Sequence, residues 1–203
     1  MKYKWLNIKD NQKLIIFFNG WGMDECVVNH LEPENYDILM FYDYNSLETD
    51  LDFKNIYPYA EKHLIAWSMG VMTATLFDID YVSKTAINGT LKPIDDNFGI
   101  PKRIYDLTLR GFSPKGAERF IKNMYNENCI LPHPNRKFEN QKSELESLTH
   151  YAANPNFKYD KILLSSDDKI IPTKNQVAFW EIEPNVNSGH APFNQFKKWS
   201  DLL

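Results

Sequence analysis

The chain has 203 residues, of which 43% are apolar and 25% charged, and its formal net charge is −4. This length fits one domain with a single sizeable core. The acidic balance argues against general nucleic-acid binding, because there is no basic excess to meet phosphates. The apolar runs fall far short of the roughly 20 residues of a membrane helix, and the polar start MKYKWLNIKDNQK does not fit a secretory signal. We therefore expect a cytoplasmic protein without a membrane segment.

The chain has two cysteines, Cys26 and Cys129, and neither belongs to a CxxC or a His–Cys spacing. Disulfide frameworks and structural zinc sites are built on such spacings. We therefore expect neither a disulfide framework nor a bound metal.

Short apolar runs alternate with helical patterns along most of the chain. The runs that predict strands are KLIIFF (13–18), YDILMFYDY (36–44), HLIAW (63–67), KTAING (84–89) and YDKILLSS (159–166). The patterns that predict helices are DECVVNHL (24–31), MGVMTATLF (69–77), TKNQVAFW (173–180) and PFNQFKKWSDLL (192–203). Such alternation is typical of a mostly parallel sheet covered by helices on both faces, so we predict an α/β fold.

Residues 91–155 interrupt this alternation with about 65 residues that contain no strand-like run. Ser113 followed by Pro114 predicts the start of a helix, with serine as the N-cap and proline at the first helical position. We interpret this segment as a small helical cap inserted into one domain that spans residues 1–203. The alternative is a few additional helices that only pack against the sheet.

Ser68 lies between a predicted strand and a predicted helix, in the stretch AWSMG (66–70). A small residue two places before a serine and a glycine two places after it are typical of a nucleophile elbow, where strand and helix backbones pass closely. Ala66 replaces the first glycine of the common pattern but is still small. The alternative is that Ser68 only caps the helix over 69–77.

The loop in FFNGWGMD (17–24) follows the first strong strand and is a candidate oxyanion hole. In hydrolases with a nucleophile elbow, one backbone N–H comes from the residue after the nucleophile and the other from a loop after an early strand. We therefore predict Met69 and Trp21 as the two donors. The alternative is a simple glycine-containing turn.

Asp168 and His190 are the candidates for the other two members of a catalytic triad. LLSSDDKIIP (163–172) ends a late strand with two acidic residues, of which we select Asp168 and keep Asp167 as the second choice. His190 lies in NSGHAPF (187–193), a small polar loop after those residues. Histidine has a suitable pKa for general base catalysis at neutral pH, and the order Ser–Asp–His is that of the α/β-hydrolase fold.

Together, the stretches FFNGWGMDECVV, LIAWSMGVMTA, NGTLKPIDDNFGIP, IYDLTLRGFSPKGAERFIKNM and GHAPF resemble the pimeloyl-[acyl-carrier protein] methyl ester esterases of the compact BioG type. The resemblance covers most of the chain. It implies an α/β-hydrolase fold and hydrolysis of the methyl ester that masks a carrier-bound pimeloyl chain, late in the synthesis of the biotin precursor. Carried over by motif, Ser68 is the nucleophile, His190 the base and Asp168 the orienting acid, while Trp21 and Met69 supply the oxyanion N–H groups. This chemistry requires no metal and no organic cofactor.

The predicted cap is rich in basic residues, and an acidic acyl carrier protein would be attracted to them. The four that we predict to bind the carrier are Arg103, Arg110, Lys115 and Arg119. The alternative is an ordinary solvated helix face, since acidic residues are interspersed among them. Two further functions remain open: a general carboxylesterase or thioesterase, and a non-catalytic binding protein with the hydrolase fold.

Overall fold

In the computed structural model, which describes residues 1–125 and 132–203, the chain forms a six-stranded sheet with the order β1-β3-β2-β4-β5-β6. β1 runs antiparallel to β3, and the other neighbouring strands are parallel. The strands are β1 (Lys2–Asn7), β2 (Lys13–Phe18), β3 (Tyr36–Tyr42), β4 (Glu61–Trp67), β5 (Ser83–Ile87) and β6 (Lys161–Leu163). The predicted mostly parallel α/β sheet is confirmed.

The sheet is buried on both faces. Alternate side chains of β2 point to opposite sides, so that Ile15 and Phe17 join one hydrophobic core and Leu14, Ile16 and Phe18 join the other. This two-sided burial explains why the central strands are continuous apolar runs in the sequence.

Within the described ranges, five α-helices accompany the sheet: α1 (Met69–Thr73), α2 (Lys102–Gly111), α3 (Pro114–Met124), α4 (Phe138–Ser147) and α5 (Thr173–Trp180). The predictions for β2 and α5 match their observed bounds, and α1 continues beyond Thr73 as a 3₁₀ turn over Ala74–Leu76. β1 was not predicted, although its residues alternate between exposed and partly buried positions, as an edge strand does.

Two predicted helices are wrong. The pattern over 24–31 forms only a 3₁₀ turn over Glu25–Val27, and Pro33 follows too soon for a longer helix. The pattern over 192–203 forms two 3₁₀ turns, Pro192–Gln195 and Trp199–Leu202. Extended backbone separates them, because Glu32 exchanges hydrogen bonds with the Lys197 carbonyl and the Trp199 N–H.

The segment 91–155 provides α2, α3 and α4 between β5 and β6. The predicted N-cap of α3 is confirmed, since the Ser113 hydroxyl accepts a hydrogen bond of 3.2 Å from the Gly116 N–H. Residues 126–131 of the predicted cap, which include Cys129, lie outside the described residues. Within residues 1–125 and 132–203, no helix combines the length and apolar character needed to cross a bilayer.

Candidate active site

Ser68 is the single residue between the end of β4 and the start of α1. Its φ of 56° lies in the left-handed region, which a non-glycine residue adopts only when its surroundings enforce it. Ala66 and Gly70 make that turn possible. Ala66 is fully buried between neighbouring strands, and a Cβ on Gly70 would lie 2.2 Å from the Phe18 carbonyl oxygen. The Ser68 side chain makes no N-cap hydrogen bond to α1, so the capping alternative is not observed.

Ser68, His190 and Asp168 form a continuous chain of hydrogen-bonded side chains. The distance between Ser68 Oγ and His190 Nε2 is 2.9 Å, and that between His190 Nδ1 and Asp168 Oδ2 is 2.7 Å. All three residues are buried. The structure therefore brings together three residues from separate loops at the carboxyl edge of the sheet, in the arrangement of a Ser–His–Asp triad.

Asp168 is held by four hydrogen bonds, whereas Asp167 faces solvent. Oδ1 of Asp168 accepts from the backbone N–H groups of Ile170 and Ile171, and Oδ2 accepts from Gln176 Nε2 as well as from His190. Asp167 is about half exposed and pairs with Lys169. The structure thus places Asp168, and not Asp167, against the imidazole.

The backbone of His190 is fixed by two side chains that the sequence patterns did not identify as functional. Its carbonyl oxygen accepts hydrogen bonds from Trp67 Nε1 and from Asn88 Nδ2. Asn88 also binds both the hydroxyl and the backbone N–H of Ser165, and thereby joins the ends of β5 and β6 to the histidine loop. Asn88 has a positive φ of 43°, which asparagine tolerates better than most residues.

The predicted oxyanion donors, Trp21 and Met69, line the same cavity as Ser68. Neither backbone N–H has a hydrogen-bond partner among the residues that the structure describes. Gly20 precedes Trp21, and a Cβ there would lie 2.8 Å from the Trp67 ring. The glycine therefore lets the loop approach the end of β4, beside Ser68.

Helix α4 contacts the loop 19–22 through three hydrogen bonds. Trp21 Nε1 donates to the Gln141 carbonyl oxygen at 2.8 Å, and Gln141 Nε2 donates to the Gly22 carbonyl oxygen at 2.8 Å. The Gly22 N–H donates to Glu144 Oε2 at 3.1 Å. The Trp21 ring also packs against Phe112 and Phe120, with centroid distances of 5.1 and 4.7 Å.

Glu144 belongs to a buried ionic cluster between α4 and the sheet. Its side chain is fully buried and accepts hydrogen bonds from Arg136 and from the Tyr44 N–H, in addition to Gly22. Burial raises the pKa of Glu144, and the charge of Arg136 and the backbone donors oppose that rise. Arg136 also lies 3.2 Å from Asp43, and the side chains of both residues are only 4% exposed.

A cavity of about 390 Å³ leads to Ser68, within the ordinary range of about 300–1,000 Å³ for ligand pockets. Its walls come mainly from the segment 91–155 and are largely apolar, with contributions from Ile100, Ile104, Phe112, Phe120, Leu145 and Ile170. A second cavity of about 710 Å³ lies on the other side of Tyr105 and does not include Ser68. The site can therefore admit a slender apolar chain.

The four basic residues predicted to bind a carrier are exposed on α2 and α3. Arg119 lines the Ser68 cavity, while Arg103 and Arg110 line a neighbouring cleft with Asp96 and Asp106. In the part of the chain that the structure describes, none of the four has an ion-pair partner. Across that same part, no group of three or more His, Cys, Asp or Glu residues is arranged to hold a metal.

Comparison with known proteins identifies one family and several structural relatives. The family model described as pimeloyl-ACP methyl esterase BioG matches residues 1–202. The crystal structure of BioG from Haemophilus influenzae has 33% sequence identity and a TM-score of 0.89, and the match covers 100% of this chain and 99% of that one. An alpha/beta hydrolase fold protein from Burkholderia ambifaria, with 14% identity, covers 93% of this chain and 87% of its own with a TM-score of 0.57. The predicted α/β-hydrolase fold is therefore confirmed.

A further relative is much longer than this chain. The malonyl-[acyl-carrier protein] O-methyltransferase of Bacteroides fragilis (strain 638R) is 34% identical over 182 residues. The match covers 84% of this chain, yet this chain spans only 37% of that methyltransferase.

Proposed function

The chain belongs to the pimeloyl-ACP methyl esterase BioG family, and we propose that it hydrolyses the methyl ester of a pimeloyl group carried by an acyl carrier protein. The products are methanol and the carrier-bound pimeloyl acid, a precursor of biotin. The observation that carries the proposal is the hydrogen-bonded chain Ser68–His190–Asp168 at the base of an apolar cavity.

Ser68 is the nucleophile in this mechanism. Its hydroxyl attacks the ester carbonyl carbon while Nε2 of His190, 2.9 Å away, removes the proton. Asp168 accepts the Nδ1–H of His190, which fixes the tautomer and stabilises the imidazolium that forms. Gln176 and two backbone N–H groups hold the Asp168 carboxylate in place.

The negative charge on the tetrahedral intermediate is stabilised by the backbone N–H groups of Trp21 and Met69. Both residues border the cavity beside Ser68, and both N–H groups are available to a ligand. When the intermediate collapses, methoxide leaves with the proton from His190. Water, activated by the same histidine, then attacks the acyl-serine and releases the acid.

The segment 91–155 acts as a cap that receives the acyl chain. Its α2, α3 and α4 side chains form most of the apolar wall opposite Ser68. A carrier protein cannot enter a cavity of about 390 Å³. The carrier therefore stays outside while its linker threads the chain inward, and the ester at the far end of the chain reaches Ser68.

The exposed cations of α2 and α3 dock the carrier. Arg103, Arg110, Lys115 and Arg119 surround or adjoin the route to Ser68 and are unpaired within the described residues. The methyltransferase relative supports a carrier-linked substrate, because that protein acts on a malonyl group bound to acyl carrier protein. Methyl transfer to such a carrier and removal of a methyl ester from it are complementary reactions.

Mass spectrometry of pimeloyl carrier-protein methyl ester incubated with the protein tests this function. The carrier should lose the mass of one CH₂ group as the ester becomes an acid. Ser68→Ala should abolish that change, and a fluorophosphonate probe should label the parent protein but not this variant. Ser166→Ala, at an exposed serine, serves as the matched control. Loss of the whole acyl group would instead indicate a thioesterase, and an unchanged carrier would contradict the proposal.

A further inference from the structure

We propose that α4 holds the loop 19–22 in the shape required for catalysis, with Gln141 and Glu144 as positioning residues. The inference rests on the proposed function, because it assigns the Trp21 N–H to the oxyanion. It adds that one half of the cap completes the catalytic site instead of only covering it.

The contacts fix Trp21 from several directions. Its indole N–H donates to the Gln141 carbonyl oxygen, and its ring packs against Phe112 and Phe120. The N–H of the next residue, Gly22, is bound to Glu144, and the Gly22 carbonyl oxygen accepts from the Gln141 side chain. The backbone at Trp21 therefore cannot rotate without breaking at least one hydrogen bond to α4.

The loop needs such external support because its own sequence gives it little stiffness. Two of its four residues are glycines, and Gly22 has a positive φ of 74°. At the start of the loop, the Asn19 side chain binds the Gly20 N–H and the Asp24 carbonyl oxygen. An oxyanion hole lowers the barrier only if its donors are oriented before the charge develops. The second half of the loop obtains that orientation from α4.

The ionic cluster defines one docked position for α4. Glu144 is fully buried, and its oxygens are occupied by Arg136 and by the N–H groups of Gly22 and Tyr44. A shift of the helix would leave a buried carboxylate without these partners, which is strongly unfavourable. Any opening of the cap that admits substrate is therefore confined to α2 and α3.

Gln141→Met gives the sharpest test, because it removes the side-chain donor to Gly22, conserves most of the volume and leaves the buried charges paired. We expect kcat to fall by roughly 10- to 100-fold. This decrease is smaller than, or close to, the decrease in kcat that follows removal of a whole oxyanion-hole donor. The loss should be similar on p-nitrophenyl acetate and on the carrier-bound ester, with KM nearly unchanged. The inhibition constant of a trifluoromethyl ketone, whose adduct places an oxyanion in the same hole, should rise in proportion to the loss of kcat/KM.

Two more variants separate positioning from simple loss of stability. Trp21→Phe removes the indole bond to Gln141 but keeps an aromatic ring, and should change kcat in the same direction by a smaller factor. Leu148→Ala removes a buried side chain on the helical turn after α4, away from the loop and from the Ser68 cavity. It should lower the melting temperature, because a buried side chain is lost. The value of kcat should stay within about twofold of the parent value, because the hydrogen bonds between α4 and the loop 19–22 are kept.

Three results would overturn the positioning role of Gln141. An unchanged kcat in Gln141→Met, or an equal loss of kcat in Leu148→Ala, overturns the positioning role while the esterase function stands. A rise in KM with constant kcat also overturns it, since the residue would then act in substrate binding. A parent protein that cleaves no ester contradicts the proposed function, and the inference falls with it.

Discussion

The segment 91–155 has two halves that differ in where their charges lie: α2 and α3 carry exposed cations, whereas α4 takes part in a buried ion pair. Arg110 in α2 and Lys115 in α3 are exposed and have no ionic partner among the described residues. In α4, Glu144 is fully buried and pairs with Arg136, which just precedes the helix. The first arrangement leaves charge available to a visiting molecule, whereas the second uses charge to lock a helix onto the sheet.

The two halves are therefore suited to different roles: one can move or bind a partner, and the other holds a fixed position. A half with exposed, unpaired charges can shift or bind a partner at little cost, because such charges stay hydrated. A half whose charges are buried has one favourable position, because any displacement strands them in an apolar environment. The following predictions test whether the halves act independently on one catalytic centre.

Asp168→Asn should have the largest effect and should not distinguish the halves. The imidazole would be held in the wrong tautomer, so kcat should fall by roughly 10³- to 10⁴-fold on small and carrier-bound esters alike. Asp167→Asn, at the exposed neighbour, is the matched control and should lose far less. Steady-state kinetics on both substrates provides the measurement, and the reverse ranking would show that the wrong carboxylate had been assigned.

Arg136→Met should lower the stability of the fold much more than a matched change on the exposed half. It leaves Glu144 buried without its cationic partner, which should lower the free energy of unfolding by about 3–5 kcal/mol. Arg110→Met, on the exposed half, should change it by less than about 0.5 kcal/mol. Urea unfolding at one pH measures both variants, and equal midpoints would contradict the contrast.

The pair Glu144–Arg136 also predicts how the stability of Arg136→Met changes with pH. Burial already raises the pKa of Glu144, and removal of Arg136 raises it further. A carboxyl whose pKa is raised in the folded state lowers stability as the pH rises from its ordinary pKa to the raised one. The cost is complete above the raised pKa and disappears below the ordinary pKa. The stability deficit of Arg136→Met should therefore shrink as the pH falls from neutral to mildly acidic. A deficit that grows on acidification would contradict this account of the cluster.

Charge reversal on the exposed half should give the smallest effect and the most selective one. Arg103→Glu combined with Arg110→Glu should lower kcat/KM for the carrier-bound ester by about tenfold and spare p-nitrophenyl acetate, because only the carrier needs a docking surface. The effect should weaken with added salt, which screens exposed charges over about 8–10 Å. Lys9→Glu with Lys54→Glu, at exposed sites outside the segment 91–155, controls for net charge. Equal losses on both substrates would indicate a damaged cavity.

Local sequence patterns were sufficient to select the hydrogen-bonded residues Ser68, His190 and Asp168 but not the residues that support them. Ser68 and His190 stand out because a turn and a loop leave a recognisable spacing in the sequence. Gln141 and Glu144 look like surface positions of a polar helix, and only the position of α4 over the loop 19–22 shows that they are buried. Asn88 was grouped with a strand, whereas its side chain joins three segments distant in sequence.

The errors in secondary structure have the same origin. The apolar spacing over 192–203 favours a helix, but the chain there pairs with Glu32 from a distant loop and becomes extended between two short turns. β1 was missed because an edge strand with one solvated face carries a weak, alternating signal among polar residues. In both cases a long-range contact determines the backbone, and local propensity does not report it.

The hydrogen bonds that complete the site also set when it can first work during synthesis. Trp21 is joined to Gln141, and Ser68 to His190, across 120 and 122 positions of the chain. Because the ribosome delivers the amino-terminal part first, Ser68 emerges long before His190 and before α4. A nascent chain therefore cannot form the hydrogen-bonded side chains Ser68–His190–Asp168 until almost all of its residues have been added.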